Sequence, residues 1–268
     1  VGVMDDIMVL RAYKKLIAQI LVSALMVIGS DVRIRSLFGL FGVDEINYYF
    51  SILFSIVTFI ILINAFNLID GIDGLAGGYT VVTSALFGIS FFRLGSNNDP
   101  LVILCAIIIA ATVGFLIYNL SNKRSNKIFM GDTGSMILGF LLAFTGISFI
   151  DIFIEKKEAV FYHLQSAPVI AVAILILPIV DTITVIITRL YHGKSVMSPD
   201  KNHIHHKLLN LGLTHRRSTA YIITYFLFII FVAYFLRHID VNQLLIVVMV
   251  LGFLGAYMPI VLLKFKKD

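Results

Sequence analysis

The chain has 268 residues, 59% hydrophobic and 14% charged, with a mean hydropathy of +0.96. A soluble domain is about half apolar and about a quarter charged, so this composition excludes a freely soluble monomer and a disordered chain. A single Cys105 excludes an internal disulfide framework, and the net charge of +5 has to be weighed against membrane topology before nucleic acid is invoked.

The chain opens on Val1 with no charged region leading into an apolar core and cleavage site, so it is expected to be a fragment of a longer protein rather than to start with a signal peptide. About 20 mostly apolar residues cross the hydrocarbon core of a bilayer as a helix. Eight stretches meet or approach that length: 14–30, 48–66, 74–92, 101–119, 134–153, 167–188, 219–236 and 241–263. The fold class expected is therefore all-α, a polytopic membrane bundle of about eight helices. No repeat or separate soluble segment divides it, so residues 1–268 are read as one membrane domain.

Eight crossings leave both ends on one face, together with loops 67–73, 120–133 and 189–218. That face carries 15 of the 21 Lys and Arg residues, among them Lys14, Lys15, Lys123, Lys127, Lys201 and Arg216. The opposite face carries 6, so the positive-inside rule makes the first face cytoplasmic. Topology accounts for the basic excess, and no nucleic-acid partner is expected.

Polar residues are costly at membrane depth, so their placement is informative. Four clusters stand out: Asp5-Asp6; residues 64–75, which hold Asn67, Asp70 and Asp73; residues 128–135, with Phe129, Gly131 and Asp132; and residues 199–207, with Lys201, His203, His205 and His206. All four fall on the face made cytoplasmic by the Lys and Arg count. Five carboxylates gathered there repel one another unless a cation binds them, and hard oxygen donors suit magnesium or manganese. Magnesium is commonly held by one or two carboxylates plus substrate phosphates, so a phosphorylated substrate is the expected companion. Glycines 71, 74, 131 and 134 let backbone approach such a ligand, and the histidines with Lys201 and Lys207 supply donors to phosphate oxygens. Each cluster also has a structural alternative: a solvated pair for Asp5-Asp6, helix capping for Asp70, Asp73 and residues 131–135, and a zinc site for the histidines.

These four ordered motifs, spread along essentially the whole chain, resemble those of the polyprenyl-phosphate N-acetylhexosamine-1-phosphate transferases, whose superfamily includes phospho-MurNAc-pentapeptide translocase. The His-Ile-His-His form at 203–206 is similar to the branch that uses a UDP-N-acetylhexosamine. The resemblance implies transfer of a sugar 1-phosphate from a UDP-sugar, with UDP-N-acetylglucosamine the expected donor, to undecaprenyl phosphate, releasing UMP for cell-envelope polysaccharide synthesis. It implies a multi-pass protein of the bacterial cytoplasmic membrane, embedded in the lipid bilayer, with its active site on the cytoplasmic face and a homodimer as the expected assembly. It further implies magnesium, or manganese, held by Asp132 with Asp5 and Asp6 beside it. Asn67, Asp70 and Asp73 would shape the nucleotide site, with Gly131 close to the ligand, Phe129 on the uracil, and Lys201, His203, His205 and His206 on the sugar diphosphate. Asp5 is the expected base toward the lipid phosphate, with metal support as its alternative role. Asn119 or Asn122 would take the place of an asparagine that the family carries near the metal.

Two family helices that precede the Asp pair are expected to be missing. Asp181 lies inside an apolar stretch, where function or a helix-packing hydrogen bond would each explain it. The competing readings of the whole chain are a peptidoglycan-precursor translocase, a transporter with a midplane site, and an inactive truncated homologue.

Overall fold

The computed structural model describes residues 1–8, 10–155, 166–193 and 203–265. Long apolar runs become helices because a backbone in lipid has to satisfy its own N–H and C=O groups. In chain order these are α1 (Gly2–Met8), α2 (Ala12–Gly29), α3 (Tyr48–Ile69), α4 (Leu75–Arg93), α5 (Asp99–Asn119), α6 (Gly131–Glu155), α7 (Ala167–Ile174), α8 (Ile176–Tyr191), α9 (Ile204–Asn210), α10 (His215–Phe235) and α11 (Val241–Phe265). Polar side chains mark several starts. Asn47 accepts from Tyr49 N ahead of α3, Thr214 accepts from Arg217 N ahead of α10, and Pro100 occupies the first turn of α5, where its missing N–H costs nothing.

Among the described residues, seven helices are long and apolar enough to span a membrane, and the bent pair α7–α8 makes an eighth crossing if it is counted as one span. The pair turns through 72° at Leu175. Pro178 is the cause: it has no N–H for the Ile174 carbonyl four residues earlier. That carbonyl is satisfied from outside by the hydroxyl of fully buried Tyr79. The pair still connects the two ends of the bundle, since α7 packs on the strand Ser36–Leu40 at one end while Asp181 of α8 meets His203 at the other. The protein is therefore a multi-pass membrane bundle, as its composition requires.

α3 and α6 form the central contact. Gly139 of α6 lies against the Ile63 backbone of α3, where a Cβ would come within 2.9 Å of Ile63 Cα. The buried core continues through Phe59, Phe66, Tyr79, Phe87, Phe149 and Phe226. The exposed flank of α2, with Leu21, Leu25 and Ile28, is the surface a lipid tail would cover.

The connection between α2 and α3 contains a hairpin of β1 (Ser36–Leu40) and β2 (Val43–Glu45). The strands pair antiparallel through Ser36–Glu45 and Leu40–Val43 around Phe41 and Gly42, both at positive φ as tight hairpin turns require. Asn242 of α11 accepts from Phe41 N, and Arg35 joins Asp31 to Asp151 of α6, fixing this end of the bundle.

Candidate active site

At the opposite end, α1 packs across the start of α6. Asp6 caps that helix from a distance: its carboxylate accepts from Asp132 N at 2.8 Å, Thr133 N at 3.1 Å and the Thr133 hydroxyl at 2.6 Å. These bonds, the Thr133 hydroxyl first, hold the Asp6 carboxyl below the usual carboxylate range. Gly131 supplies the left-handed φ of +66° before α6, and a Cβ there would come within 2.9 Å of Asp6 Oδ1. Capping orients Asp132 in the first turn of α6.

Asp5 faces inward and is 5% exposed. It accepts from Leu10 N and pairs with the ammonium of Lys15, which also donates to Asp132 Oδ2 at 2.8 Å. The adjacent Asp132 carboxyl, then Lys15 and Leu10 N–H, hold the Asp5 carboxyl down to about 2 against the opposing effect of burial. Lys15 thus sits between two carboxylates from distant parts of the chain. Such a position selects a cation, and two carboxylates completed by water or phosphate oxygens match the ordinary surroundings of magnesium. Among the described residues no group of three or more Asp, Glu, His or Cys side chains is arranged to hold a metal ion, and the Asp6 carboxylate is taken up by the start of α6.

The turn between α3 and α4 carries Asp70 and Asp73. Gly74 takes φ +78° and donates its N–H to Asn119 Oδ1 at 2.8 Å, while Asn119 Nδ2 donates to Ile128 O at 3.0 Å. Buried Asn119 therefore anchors both the Asp70 turn and the irregular segment leading to Phe129. Asn122 instead accepts from Arg216. Burial, then the charges of Asp132 and Asp73, push the Asp70 carboxyl up to about 6. Asp73 pairs with Lys127 and lies 3.2 Å from His215 Nδ1, and its carbonyl accepts from Thr219. Asn67 turns toward α6 and accepts from Ser135 at 2.8 Å. Phe129 is 78% exposed, with Lys127 Nζ 5.8 Å from its ring centre, leaving a face open to a planar base.

The histidines arrive on α9. His203 and His205 stack almost parallel, 5.6 Å apart, and His206 is tilted against both. His205 Nε2 presses on Gly71, where a Cβ would lie 2.1 Å away. Burial, partly opposed by Asp181, pushes the His205 imidazole down to about 4, so it is neutral at pH 7. Among the described residues its Nδ1 has no hydrogen-bond partner. Lys201, with Asp200, lies outside the described residues.

Asp5, Asp132, Asp70 and His205 are thus brought to one end of the bundle, while Asp6, Asn67 and Asn119 brace the segments that present them. Lys15, Lys127 and His215 join the site without having been singled out from the sequence, where the lysines counted only toward topology. Their signal was position: each basic residue lies on the face that holds the acidic motifs.

The chain is 34% identical over 226 residues to the probable undecaprenyl-phosphate N-acetylglucosaminyl 1-phosphate transferase of Bacillus subtilis (strain 168), covering 82% of this chain and 58% of that protein. It is 31% identical over 235 residues to the decaprenyl-phosphate N-acetylglucosaminephosphotransferase of Mycolicibacterium smegmatis (strain ATCC 700084 / mc(2)155), covering 83% and 56%. With the undecaprenyl-phosphate alpha-N-acetylglucosaminyl 1-phosphate transferase of Escherichia coli (strain K12) the identity is 32% over 223 residues, covering 81% and 57%. The chain spans less than two thirds of the length of each of these relatives. Residues 1–150, more than half of the chain and the part holding Asp5, Asp70 and Asp132, match the family described as glycosyl transferase family 4, and the chain belongs to that family.

Proposed function

We propose that this protein is the catalytic bundle of a polyprenyl-phosphate sugar-1-phosphate transferase, moving N-acetylglucosamine 1-phosphate from its UDP conjugate to undecaprenyl phosphate. The observation that carries the reading is the meeting of Asp5 and Asp132 around one cation position, beside Asp70 and the histidines of α9, at one end of an apolar bundle. The names of the relatives support the acceptor and the sugar. The excess of Lys and Arg on that face supports a cytoplasmic site in a bacterial inner membrane.

In this reaction an oxygen of the lipid phosphate forms a bond to the β-phosphorus of the UDP-sugar. The bond from that phosphorus to the bridging oxygen breaks, and UMP departs with the oxygen and its charge. Both reactants are anions, so the main task is to offset their repulsion and fix their approach. Lys15 places positive charge between Asp5 and Asp132, and Lys127 places it on Asp73 of the acidic turn. Phe129 offers its exposed ring to uracil, and His205 of α9 faces the acidic turn at Gly71. Asp132 and Asp5 would hold magnesium, or manganese, whose charge would stabilise the diphosphate as it separates. A phosphate monoester with a second pKa near 6 is already largely ionised at pH 7, so Asp5 serves better as charge support than as a base.

The test is UMP release by the full-length membrane protein given UDP-N-acetylglucosamine, undecaprenyl phosphate and magnesium. Release that needs both lipid and magnesium, and is lost in Asp132→Asn, supports the proposal. Silence with this donor, UDP-N-acetylgalactosamine and other UDP-sugars overturns it.

A further inference from the structure

Asp181 stands on α8 in a stretch otherwise made of Ile, Val, Thr and Pro, and is 2% exposed. A carboxylate in such surroundings persists only when its oxygens are engaged. Both are: Oδ1 accepts from Ile204 N at 2.8 Å, and Oδ2 lies 2.7 Å from His203 Nδ1. His203 occupies the cap position of α9 but gives that helix no side-chain cap, so Asp181 supplies the cap from another helix. Capping alone would be served by any neutral acceptor. The second bond does something else, since it decides which nitrogen of the imidazole carries the proton and which one faces away from Asp181.

We propose that Asp181 is the positioning residue of this site, holding His203 with Nδ1–H toward the carboxylate and Nε2 toward the reacting groups. The inference deepens the transferase reading and rests on it for the identity of those groups. The link to the site is continuous. His203 stacks on His205, and His205 presses on Gly71, next to Asp70. Rotating the His203 ring therefore disturbs the packing that holds the acidic turn.

The decisive variant is Asp181→Asn. Its Oδ1 still caps Ile204 N, but its amide now donates to His203 Nδ1 and moves the ring proton to Nε2. Nitrogen NMR of histidine-labelled full-length protein in detergent reads this without substrate: His203 Nδ1 should be protonated in the wild type and unprotonated in Asp181→Asn. In the UMP-release assay, kcat should fall about 100-fold with KM for the UDP-sugar within about two-fold, as expected when a wrong tautomer leaves geometry intact. His203→Gln should fall similarly, and the double variant no further. Unchanged kcat with an unchanged His203 signal reduces Asp181 to a helix cap and overturns the proposal. If Asp181→Asn fails to fold, the wild-type spectrum decides alone, because an unprotonated His203 Nδ1 contradicts the proposal. If no donor yields UMP, the transferase reading falls while the spectrum still tests the Asp181–His203 pair.

Discussion

The Tyr79 hydroxyl donates to the Ile174 carbonyl across 2.9 Å, at the carbonyl that Pro178 leaves unpaired. The bond stabilises a break in the middle of an apolar layer, where water is not at hand. Tyr79→Phe keeps the ring against Phe226 and removes only the donor. It should cost about 1–3 kcal/mol of stability, the penalty of an unsatisfied buried carbonyl, and lower the melting temperature in detergent. A variant that melts with the wild type would show that the kink stands without this bond.

Gly71 is the tightest point between the acidic turn and α9. Gly71→Ala places a methyl 2.1 Å from His205 Nε2, so α9 or the turn has to shift. A displacement of about 1 Å in a phosphoryl-transfer site costs on the order of 100-fold, and UMP release should fall by that order while the bundle still folds. Gly114→Ala, with nothing within 4 Å of the added carbon, is the control and should be silent.

Lys15 holds two carboxylates that a divalent ion would otherwise share. Lys15→Met should leave the chelated protein less stable and enlarge the stabilisation that magnesium provides. A ligand at 100 times its Kd contributes about 2.7 kcal/mol, so the gap in melting temperature between magnesium and chelator should widen in the variant. An equal gap in both proteins would place magnesium elsewhere.

His205 titrates at about 4 in the fold and at about 6.5 when unfolded. Between those values the unfolded chain takes up a proton that the fold refuses, so this group's contribution to stability falls as pH drops, by up to about 3 kcal/mol. Asp70 works the other way: its carboxyl, raised to about 6, takes up a proton earlier in the fold, adding stability as pH falls toward its unfolded value of 3.8. The two oppose each other in the wild type. His205→Asn should therefore gain stability relative to the wild type as pH is lowered from 6.5 to 4.5 in chelator. Parallel curves would refute the buried neutral imidazole.

The apolar helices were legible because apolar length is a local property: seven lie within a few residues of the expected bounds, and the stretch expected as one span at 167–188 is the bent pair α7–α8. The gathering of the acidic motifs at one end was legible too, through basic residues counted by loop. The hairpin was not, since five residues of alternating burial inside a polar connection carry little pattern, although Phe41-Gly42 marks its turn. Nor was the role of Asp181: its partners lie 22 and 23 residues away, beyond any helical spacing. Lys15 meets Asp132 across 117 positions and His215 meets Asp73 across 142, and only folding brings such pairs together. Asp6 reads as a candidate ligand by its neighbour, yet its oxygens face backbone N–H groups that are presented together only once α6 forms.

Asn119 clasps Gly74 on one side and Ile128 on the other, closing a ring of chain whose outer arc is residues 120–127. Arg216 and Lys127 pin the shoulders of that arc through Leu120, Asn122 and Asp73, leaving Lys123 to Asn126 as its crest. The crest can lengthen or shorten without pulling on Phe129 or on the acidic turn. It is consequently the natural port for a fluorophore or epitope, from which events at the neighbouring site could be watched while the site itself stays untouched.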